Sequence, residues 1–386
     1  MTRIGDSPVR SWTPKIQAIK DKCLYRQMPK IDQSSGSKIT IAGKQYLNFA
    51  SNNYLNLAQD KRIKNAFQEG LEKWGSGSTA SRYVVGNTFS HEVCEAALAE
   101  WTGQEAALLM STGYMANIAV LASLPENGDV LLLDRSCHAS LVDGARLSHA
   151  TTRVYPHNDL HNLEKQLKKY KETNVCTWIV TESLFSMEGD FAPWEHLSNL
   201  AEKYEAYLLL DEAHALGVYG EEGSGLLGRD VSYKEQLIRV GTLGKSVGLA
   251  GGFVAGSAEM IDYLRNVARA SIYSTGMPPA MAFALSVAIT AVREADKARV
   301  HLQSLIEEWG AESQIIPHLV GSNKEVLSLS EELKENGFWV PAMRFPTVKK
   351  GEERLRISLM SGHTKEDIKN LKKLLHRRRD VSKKNL

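Results

Sequence analysis

The chain has 386 residues, of which 43% are hydrophobic and 24% are charged, and 47 Lys and Arg nearly balance 45 Asp and Glu. This composition excludes a chain-wide basic surface for nucleic acid and an acidic, disordered polymer. With 29 Gly and 11 Pro, it also excludes collagen-like or linker-dominated architectures. We therefore expect a compact globular protein with one large core and a second, smaller domain.

Neither a disulfide framework nor a membrane anchor is predicted. The N-terminal segment MTRIGDSPVRSWTPK lacks the apolar core of a secretory signal. The longest apolar stretch, 280–292, is shorter than the roughly 18 residues that a bilayer span requires. The cysteines are far apart and form no CxxC pair, which predicts reduced thiols, no metal site and a cytoplasmic location: Cys23, Cys94, Cys137 and Cys176.

The pattern of apolar residues predicts alternating strands and helices over most of the chain. The first 45 residues resemble a helix followed by a short strand. Amphipathic segments at 160–170 and 194–204 alternate with short apolar runs, which is typical of a mostly parallel sheet with helices on both faces. These runs lie at 106–110, 130–133, 178–180, 207–210, 237–240 and 252–255.

The C-terminal third predicts a different arrangement. A long helical region covers 278–309, and the remainder contains a strand-like run at 355–359 and a final helix from Lys365. The predicted domains are an N-terminal arm at 1–45, a large cofactor-binding domain at 46–277 and a small α+β domain at 278–386, which includes the linking helix.

Polar residues follow several of the predicted strands. The apolar runs lead into polar residues at Asp134, 181–183, Asp211 and, after one glycine, Thr242. Because ligands of open α/β sheets bind beyond the carboxyl ends of the strands, these positions are candidate site residues.

Short motifs in the same region suggest two other functions, and the residues around those motifs do not favour either function. The strings DEAH at 211–214 and GKS at 244–246 suggest nucleotide hydrolysis, but a P-loop needs glycine six residues before its lysine, where this chain has Arg239. The string GKSVG at 244–248 matches the nucleophile elbow of serine hydrolases. The downstream Asp296 and His301 lie in a charged helical stretch, which does not favour a catalytic triad.

A pyridoxal 5'-phosphate (PLP) site accounts for all of these residues. Lys245, flanked by glycines after a strand, would bind the cofactor covalently, and the strand-end carboxylate of Asp211 would pair with its ring nitrogen. His214 lies three residues further on and could reach the same side. The segment STGY at 111–114 opens a predicted helix, whose first backbone N–H groups suit a phosphate.

Ten ordered segments of the sequence resemble the α-oxoamine synthases, a branch of the fold-type I PLP enzymes. The resemblance extends over nearly the whole chain and implies the α/β fold-type I transferase architecture, with a mostly parallel central sheet and a smaller C-terminal α+β domain. The segments are YLNFASNNYLNL, GSGSTASRYVVGNTFSHE, STGYMAN, DRSCHASLVDGARLS, HNDL, VTESLFSMEGDFAP, LLLDEAHALGVYGEEGSG, GTLGKSVGLAGG, IYSTGMPPA and RLRISL.

The resemblance also implies a role for individual residues. Lys245 would be the catalytic base as well as the cofactor lysine, and His138 would stack on the ring. The phosphate would be held from a neighbouring subunit by Ser274 or Thr275, which implies a homodimer. The further expected cofactor contacts are Gly113, Tyr114, Ser183, Asp211, His214 and Thr242, and the expected substrate contacts are Asn52, Arg26 (or Tyr25 at that place), Arg344, Thr347 and Arg356.

Within the family, the segment RFPTV at 344–348 favours the branch that condenses L-alanine with a pimeloyl thioester. The thioester would be carried by coenzyme A or by an acyl-carrier protein, and Arg26 and Arg344 would serve either the pimeloyl carboxylate or the phosphates of the donor. The alternatives are another acyltransferase of the family, for example one that uses glycine, and a catalytically silent homologue that acts as a partner subunit. No nucleic-acid or membrane partner is expected.

Overall fold

The computed structural model describes residues 10–229 and 235–384, with side chains up to residue 376. The first nine residues lie outside the described residues. They belong to the predicted N-terminal arm and to the segment MTRIGDSPVRSWTPK, which was predicted not to be a secretory signal. Within the described chain, no helix is both long and apolar enough to cross a bilayer.

The strands of the described chain fall into one large sheet and two small ones. In chain order they are β1 (Gln33–Ser35), β2 (Lys38–Ile41), β3 (Lys44–Asn48), β4 (Ala106–Met110), β5 (Val130–Asp134), β6 (Thr151–Tyr155), β7 (Thr177–Glu182), β8 (Tyr207–Asp211), β9 (Leu237–Thr242), β10 (Gly252–Gly256), β11 (Ile315–Leu319), β12 (Phe338–Trp339), β13 (Ala342–Met343) and β14 (Arg354–Ser358).

The helices alternate with these strands through the middle of the chain. They are α1 (Thr13–Asp21), α2 (Lys61–Trp74), α3 (Phe89–Thr102), α4 (Gly113–Leu121), α5 (Ala139–Leu147), α6 (Leu160–Glu172), α7 (Trp194–Tyr204), α8 (Ala258–Val267), α9 (Arg269–Ile272), α10 (Pro279–Arg293), α11 (Asp296–Trp309), α12 (Asn323–Glu335) and α13 (Lys365–Lys384).

The large sheet has the strand order β4-β10-β9-β8-β7-β5-β6. Neighbours from β9 to β6 are parallel, whereas β10 runs antiparallel to both β9 and β4. The sheet is therefore mostly parallel, as predicted, and the predicted fold class is confirmed. The carboxyl ends of β5, β7, β8 and β9 consequently meet at one edge, which also carries the site.

Helices cover both faces of this sheet because its central strands are apolar on both sides. On β5, Leu131 and Leu133 pack with α4 and α5 in one core cluster. Their neighbours Val130 and Leu132 face the other side and pack with α6 and α7 in a second cluster. Strands buried on both faces read as continuous apolar runs, which is why the sequence revealed them.

Each of the six predicted apolar runs lies inside a strand, and the two predicted helices at 160–170 and 194–204 correspond to α6 and α7. The prediction missed β6, an edge strand with the sequence TTRVY and mostly exposed residues. It also expected one strand near the N-terminus, where β1, β2 and β3 form two hairpin pairs. The predicted helical region at 278–309 is divided into α10 and α11.

The contacts of the described chain divide it into two compact units. The larger unit contains Ser51–Ile315 and Ser358–Asn370, and includes the large sheet, α10 and α11. The smaller unit contains the described part of Met1–Ala50 together with Ile316–Ile357 and the chain from Leu371. The three predicted domains, with boundaries after residues 45 and 277, stay a prediction.

Candidate active site

The lysine of the predicted site lies in a glycine-bounded loop between β9 and β10. The amide of Gly248 donates to the carbonyl of Lys245 over 3.0 Å, which closes a turn. Gly248 has a φ of +79°, and a Cβ there would lie 2.5 Å from the amide nitrogen of Ala58. Only glycine combines this backbone conformation with such a close approach, so the local sequence fixes the position of the lysine.

The amine of Lys245 contacts a buried chain of polar groups. Its Nζ lies 2.7 Å from Nε2 of His214, and Nδ1 of the same imidazole lies 2.7 Å from the hydroxyl of Tyr54. That hydroxyl is also 3.1 Å from Oδ1 of Asn52. The structure thus brings the predicted residues Asn52, His214 and Lys245 together, and Tyr54 is a member that sequence analysis missed.

The carboxylate of Asp211, at the end of β8, is buried and held by neutral donors. Its Oδ2 accepts from Nδ2 of Asn117 over 2.6 Å, and its Oδ1 accepts from the amide of Ala213 over 2.9 Å. Nδ2 of Asn117 is also 2.8 Å from the hydroxyl of Ser140. Asn117 lies on α4 and was not predicted, because its place in the apolar segment GYMANIAVL gives no sign of a site contact.

His138 forms the N-cap of α5 at the end of the same sheet. Its Nδ1 accepts from the amide of Ser140 over 3.2 Å, and its own amide donates to Oε1 of Glu182 over 2.6 Å. Burial lowers the pKa of His138, against the raising effect of the Asp211 charge. The imidazole is therefore neutral near pH 7, and because Nδ1 is an acceptor, its proton is on Nε2.

Glu182, at the end of β7, is a second buried carboxyl group that sequence analysis included only within 181–183. It lies opposite Asp211 in the register of β7 and β8. Burial raises its pKa well above the usual value, and the negative charge of Asp211 adds to this effect. The site therefore favours the protonated form of Glu182 beside the Asp211 carboxylate.

The predicted phosphate region is the N-terminus of α4. Thr112 caps this helix by accepting from the amide of Met115 over 3.1 Å. The backbone N–H groups of Gly113 and Tyr114 precede that capped amide and are the ones that a phosphate could use. A Cβ on Gly252 would lie 2.3 Å from the nitrogen of Gly113, and a Cβ on Gly113 would lie 3.1 Å from Cβ of Thr242. The absence of side chains at these glycines lets helix, strand and Thr242 meet closely.

The side chains of Tyr114, Ser274 and Thr275 have other surroundings. The hydroxyl of Tyr114 bonds the carboxylate of Asp143. Ser274 and Thr275 follow α9 and line a small cavity that Ser111 also borders. Whether they act from a neighbouring subunit stays a prediction.

The smaller unit contains the other predicted substrate residues. Nη2 of Arg26 donates to the hydroxyl of Thr347 over 3.0 Å. Arg344 donates to the backbone carbonyls of Cys23 and Tyr25. Burial lowers the pKa of Arg344, and the positive charge of Arg26 acts in the same direction. Three of these predicted residues, Arg26, Arg344 and Thr347, are therefore neighbours.

Arg356 lies in β14 and is 3% exposed. No group of three or more His, Cys, Asp or Glu residues suited to a metal ion occurs in the described ranges.

The chemistry of these groups suits PLP. Ser183 is fully buried, and within the described chain its hydroxyl has no hydrogen-bond partner, although buried hydroxyls normally have one. A ligand at this edge would supply the partner. PLP carries an aldehyde, a ring nitrogen and a phosphate. The amine of Lys245 suits the aldehyde, the carboxylate of Asp211 suits the ring nitrogen, and the backbone N–H groups at Gly113 suit the phosphate.

A family model described as aminotransferase class I and II matches residues 44–375. The chain belongs to this family. It is 40% identical to the 8-amino-7-oxononanoate synthase of Hydrogenovibrio crunogenus, a match that covers 93% of this chain and 94% of that protein.

Two solved structures extend the comparison. The serine palmitoyltransferase of S. paucimobilis with PLP–myriocin bound has a TM-score of 0.86 and 28% identity, and the match covers 94% of this chain and 95% of that one. The 8-amino-7-oxononanoate synthase of Francisella tularensis has a TM-score of 0.76 and 28% identity over 88% of this chain and 99% of that one.

The family membership confirms the resemblance found in the sequence, and with it the fold-type I architecture and the PLP cofactor. The roles of single residues in the site stay predictions.

Proposed function

We propose that the chain condenses L-alanine with a pimeloyl thioester and releases 8-amino-7-oxononanoate, carbon dioxide and the free thiol, as a step of biotin biosynthesis. The observation that carries this proposal is the 2.7 Å contact between Lys245 and His214, in a chain whose relatives at about 40% identity are named for this product. A member of the α-oxoamine synthases that uses glycine is the alternative, and those names do not favour it.

PLP, when bound, withdraws electrons from the α-carbon of an amino acid attached to it. Lys245 would hold the cofactor through its amine, and the same amine would accept the α-proton of alanine. His214 and the hydroxyl of Tyr54 extend from its amine as a continuous line of hydrogen bonds, along which a proton can be held. The negative charge of Asp211 favours a protonated ring nitrogen.

His138 supplies a neutral hydrogen-bond donor to the acyl group. Its Nδ1 is occupied by the amide of Ser140, so the proton on Nε2 is the one that can be donated to the thioester carbonyl. A neutral imidazole stabilises a developing oxyanion without adding a charge that Lys245 would repel.

The remaining predicted residues recognise the ends of the substrates. Asn52 and Arg356 bind the carboxylate of alanine, a task for which the planar guanidinium is suited. Arg26 and Thr347, joined by a 3.0 Å hydrogen bond, contact the acyl donor. Arg344 serves the same donor, either at its pimeloyl carboxylate or at the phosphates of its carrier.

A homodimer and a cytoplasmic location are part of the proposal. A surface of apolar side chains next to Ser274 and Thr275 supports the dimer, since soluble monomers rarely expose such patches; it comprises Tyr83, Val84, Val85, Phe89 and Tyr273. The four free cysteines support a reducing compartment. The molecular mass in dilute solution, measured by light scattering, tests the dimer, and a monomer that binds PLP normally would contradict it.

Thiol release from pimeloyl-CoA tests the reaction. The PLP-loaded chain is assayed with L-alanine, glycine and L-serine in parallel, and with pimeloyl-acyl-carrier protein in place of the CoA ester. We expect rapid release with alanine, and none from the Lys245→Ala variant with its fold intact. Faster release with glycine would favour the alternative, and absence of any bound PLP would favour a catalytically silent chain.

A further inference from the structure

A histidine outside the proposed site joins two loops that lead into that site. His157 follows β6, and its Nδ1 lies 3.0 Å from Oδ1 of Asp134 while its Nε2 lies 2.9 Å from Oδ2 of Asp190. The edge of the Phe185 ring packs against the imidazole, with the ring centroids 4.3 Å apart. Both ring nitrogens therefore face carboxylates that belong to different loops.

The imidazole is positively charged over the physiological range. Burial by itself lowers the pKa of His157, but the hydrogen bonds and charges of Asp134 and Asp190 outweigh this effect and raise the pKa to about 10. Two charge-assisted hydrogen bonds from one cation are stronger than the same bonds between neutral groups. His157 thus holds the two loops together through an ionic bridge.

The first loop leads to His138. Asp134 is fully buried, and besides His157 it accepts from the amides of Ser136 over 2.7 Å and Asn158 over 2.9 Å. These bonds turn the chain directly after β5. Four residues after Asp134 the amide of His138 donates to Glu182, so the direction of the loop at Asp134 sets the place of the His138 ring.

The second loop leads to Ser183. The amide of Phe185 donates to the carbonyl of Asp190 over 3.0 Å, and the amide of Ala192 donates to the carbonyl of Ser183 over 3.0 Å. The loop therefore folds back on itself, and Asp190 is connected through backbone bonds to Ser183. The side chain of Asp190 is 35% exposed, and its Oδ2 is held on the inner side by Nε2 of His157 over 2.9 Å and by Nδ2 of Asn158 over 3.2 Å.

We infer that His157 is a positioning residue for the cofactor: by bridging Asp134 and Asp190 it fixes the two loops that present His138 and Ser183 to the PLP ring. The inference rests on the proposed cofactor site. It assigns to His157 no contact with the cofactor, and the effect passes through the loops alone.

Equilibrium titration of the apo-protein with PLP, followed by tryptophan fluorescence, tests this inference. His157→Gln removes the charge and one of the two bonds, and we expect PLP to bind about tenfold more weakly. The induced circular dichroism of each bound PLP should fall as well, because the ring is less firmly oriented. His196→Gln, at an exposed position on α7, is the matched control and should bind PLP as the parent does.

A second variant addresses the case in which His157→Gln does not fold. Asp190→Ala breaks only the link to the Ser183 loop, at a half-exposed position, and we expect a loss of PLP affinity of at least about threefold. A purely structural role would lower the thermal midpoint and leave the affinity and the dichroism per bound PLP unchanged.

PLP affinity within twofold of the parent in the folded variants would overturn the inference. Failure of the parent chain itself to bind PLP would instead overturn the proposed cofactor site.

Discussion

Gly252 offers a sharp test of the predicted phosphate region, because it lies in β10 directly beneath the N-terminus of α4. A Cβ at this position would be 2.3 Å from the nitrogen and 2.5 Å from the Cα of Gly113. Side-chain Cβ atoms essentially never approach other heavy atoms closer than 3.0 Å. In Gly252→Ala the first turn of the helix must therefore move away by about 0.7 Å, the difference between these two distances.

Two consequences are expected from this movement. Overpacking of this kind lowers the free energy of unfolding by about 1–3 kcal/mol, which a denaturant titration of the apo-protein measures. The displaced N–H groups of Gly113 and Tyr114 lose their alignment with the phosphate. Since one charge-assisted hydrogen bond contributes roughly 1.5–3 kcal/mol, we expect the PLP dissociation constant to rise at least about tenfold.

The control substitution is Gly77→Ala, where an added Cβ meets no atom within 4 Å. Both variants change glycine to alanine, so the difference between them isolates the contact with α4. If Gly252→Ala folds and binds PLP with an affinity within twofold of the Gly77→Ala variant, the assignment of the phosphate to this helix is refuted.

Substitutions at three further residues probe other parts of the molecule. Arg356→Ala should raise the KM for alanine about tenfold or more and leave the affinity for PLP unchanged. Equal losses of alanine binding and PLP affinity would contradict its role in binding the carboxylate. Arg356→Lys, whose ammonium lacks the planar shape of the guanidinium, should recover only part of the loss. Tyr54→Phe removes the hydroxyl that lies 2.7 Å from Nδ1 of His214 and should cost about 1–3 kcal/mol in the free energy of unfolding. We also expect a lower rate of proton exchange at the α-carbon of alanine, followed by NMR in D2O. The pKa of His157 is about 10 in the folded chain, which is above its value in the unfolded chain, so the contribution of the charged imidazole to stability is fully present below about pH 6.5 and is lost as the pH rises toward 10. The difference in unfolding free energy between the parent and His157→Gln should therefore shrink between these two pH values. A difference that stays constant with pH would contradict the ionic bridge.

The sequence predicted those strands whose residues are apolar one after another along the chain. The strands β5 and β7 are buried over their whole length, and β8 is buried at all but its first residue. Each of them contains an uninterrupted apolar run. β6 was missed because it is an edge strand, mostly exposed, whose sequence TTRVY begins with three polar residues and contains neither an apolar run nor an alternating apolar face. The division between α10 and α11 was missed because Glu294 and Ala295 are compatible with a helix, so nothing in the local sequence predicts the break there.

In the site, residues that could be recognised from their neighbours in the sequence were predicted, and residues whose partners are distant in the sequence were not. Asp211 and Thr242 were predictable because they lie at the carboxyl ends of strands, Asp211 directly after an apolar run and Thr242 one glycine after the next run. Tyr54 and Asn117 were not, because they reach their partners across 160 and 94 residues of chain. Such contacts depend on how the elements pack, and a periodic pattern along the sequence does not contain that information.

Asp211 is a buried carboxylate beside a second carboxyl group, and the need to compensate its charge links the fold to the cofactor. Glu182 and Asp211 are opposite one another on β7 and β8 and are 3% and 6% exposed. Burying like charges together is unfavourable, and the chain reduces the cost by favouring the protonated form of Glu182 and by giving Asp211 the neutral donors Asn117 and Ala213. Neither donor neutralises the charge of Asp211. A cofactor that brings a cationic ring nitrogen would do so. Because the residues of this site come together only in the folded chain, we expect the free energy of unfolding to rise with the logarithm of the PLP concentration once PLP is in excess.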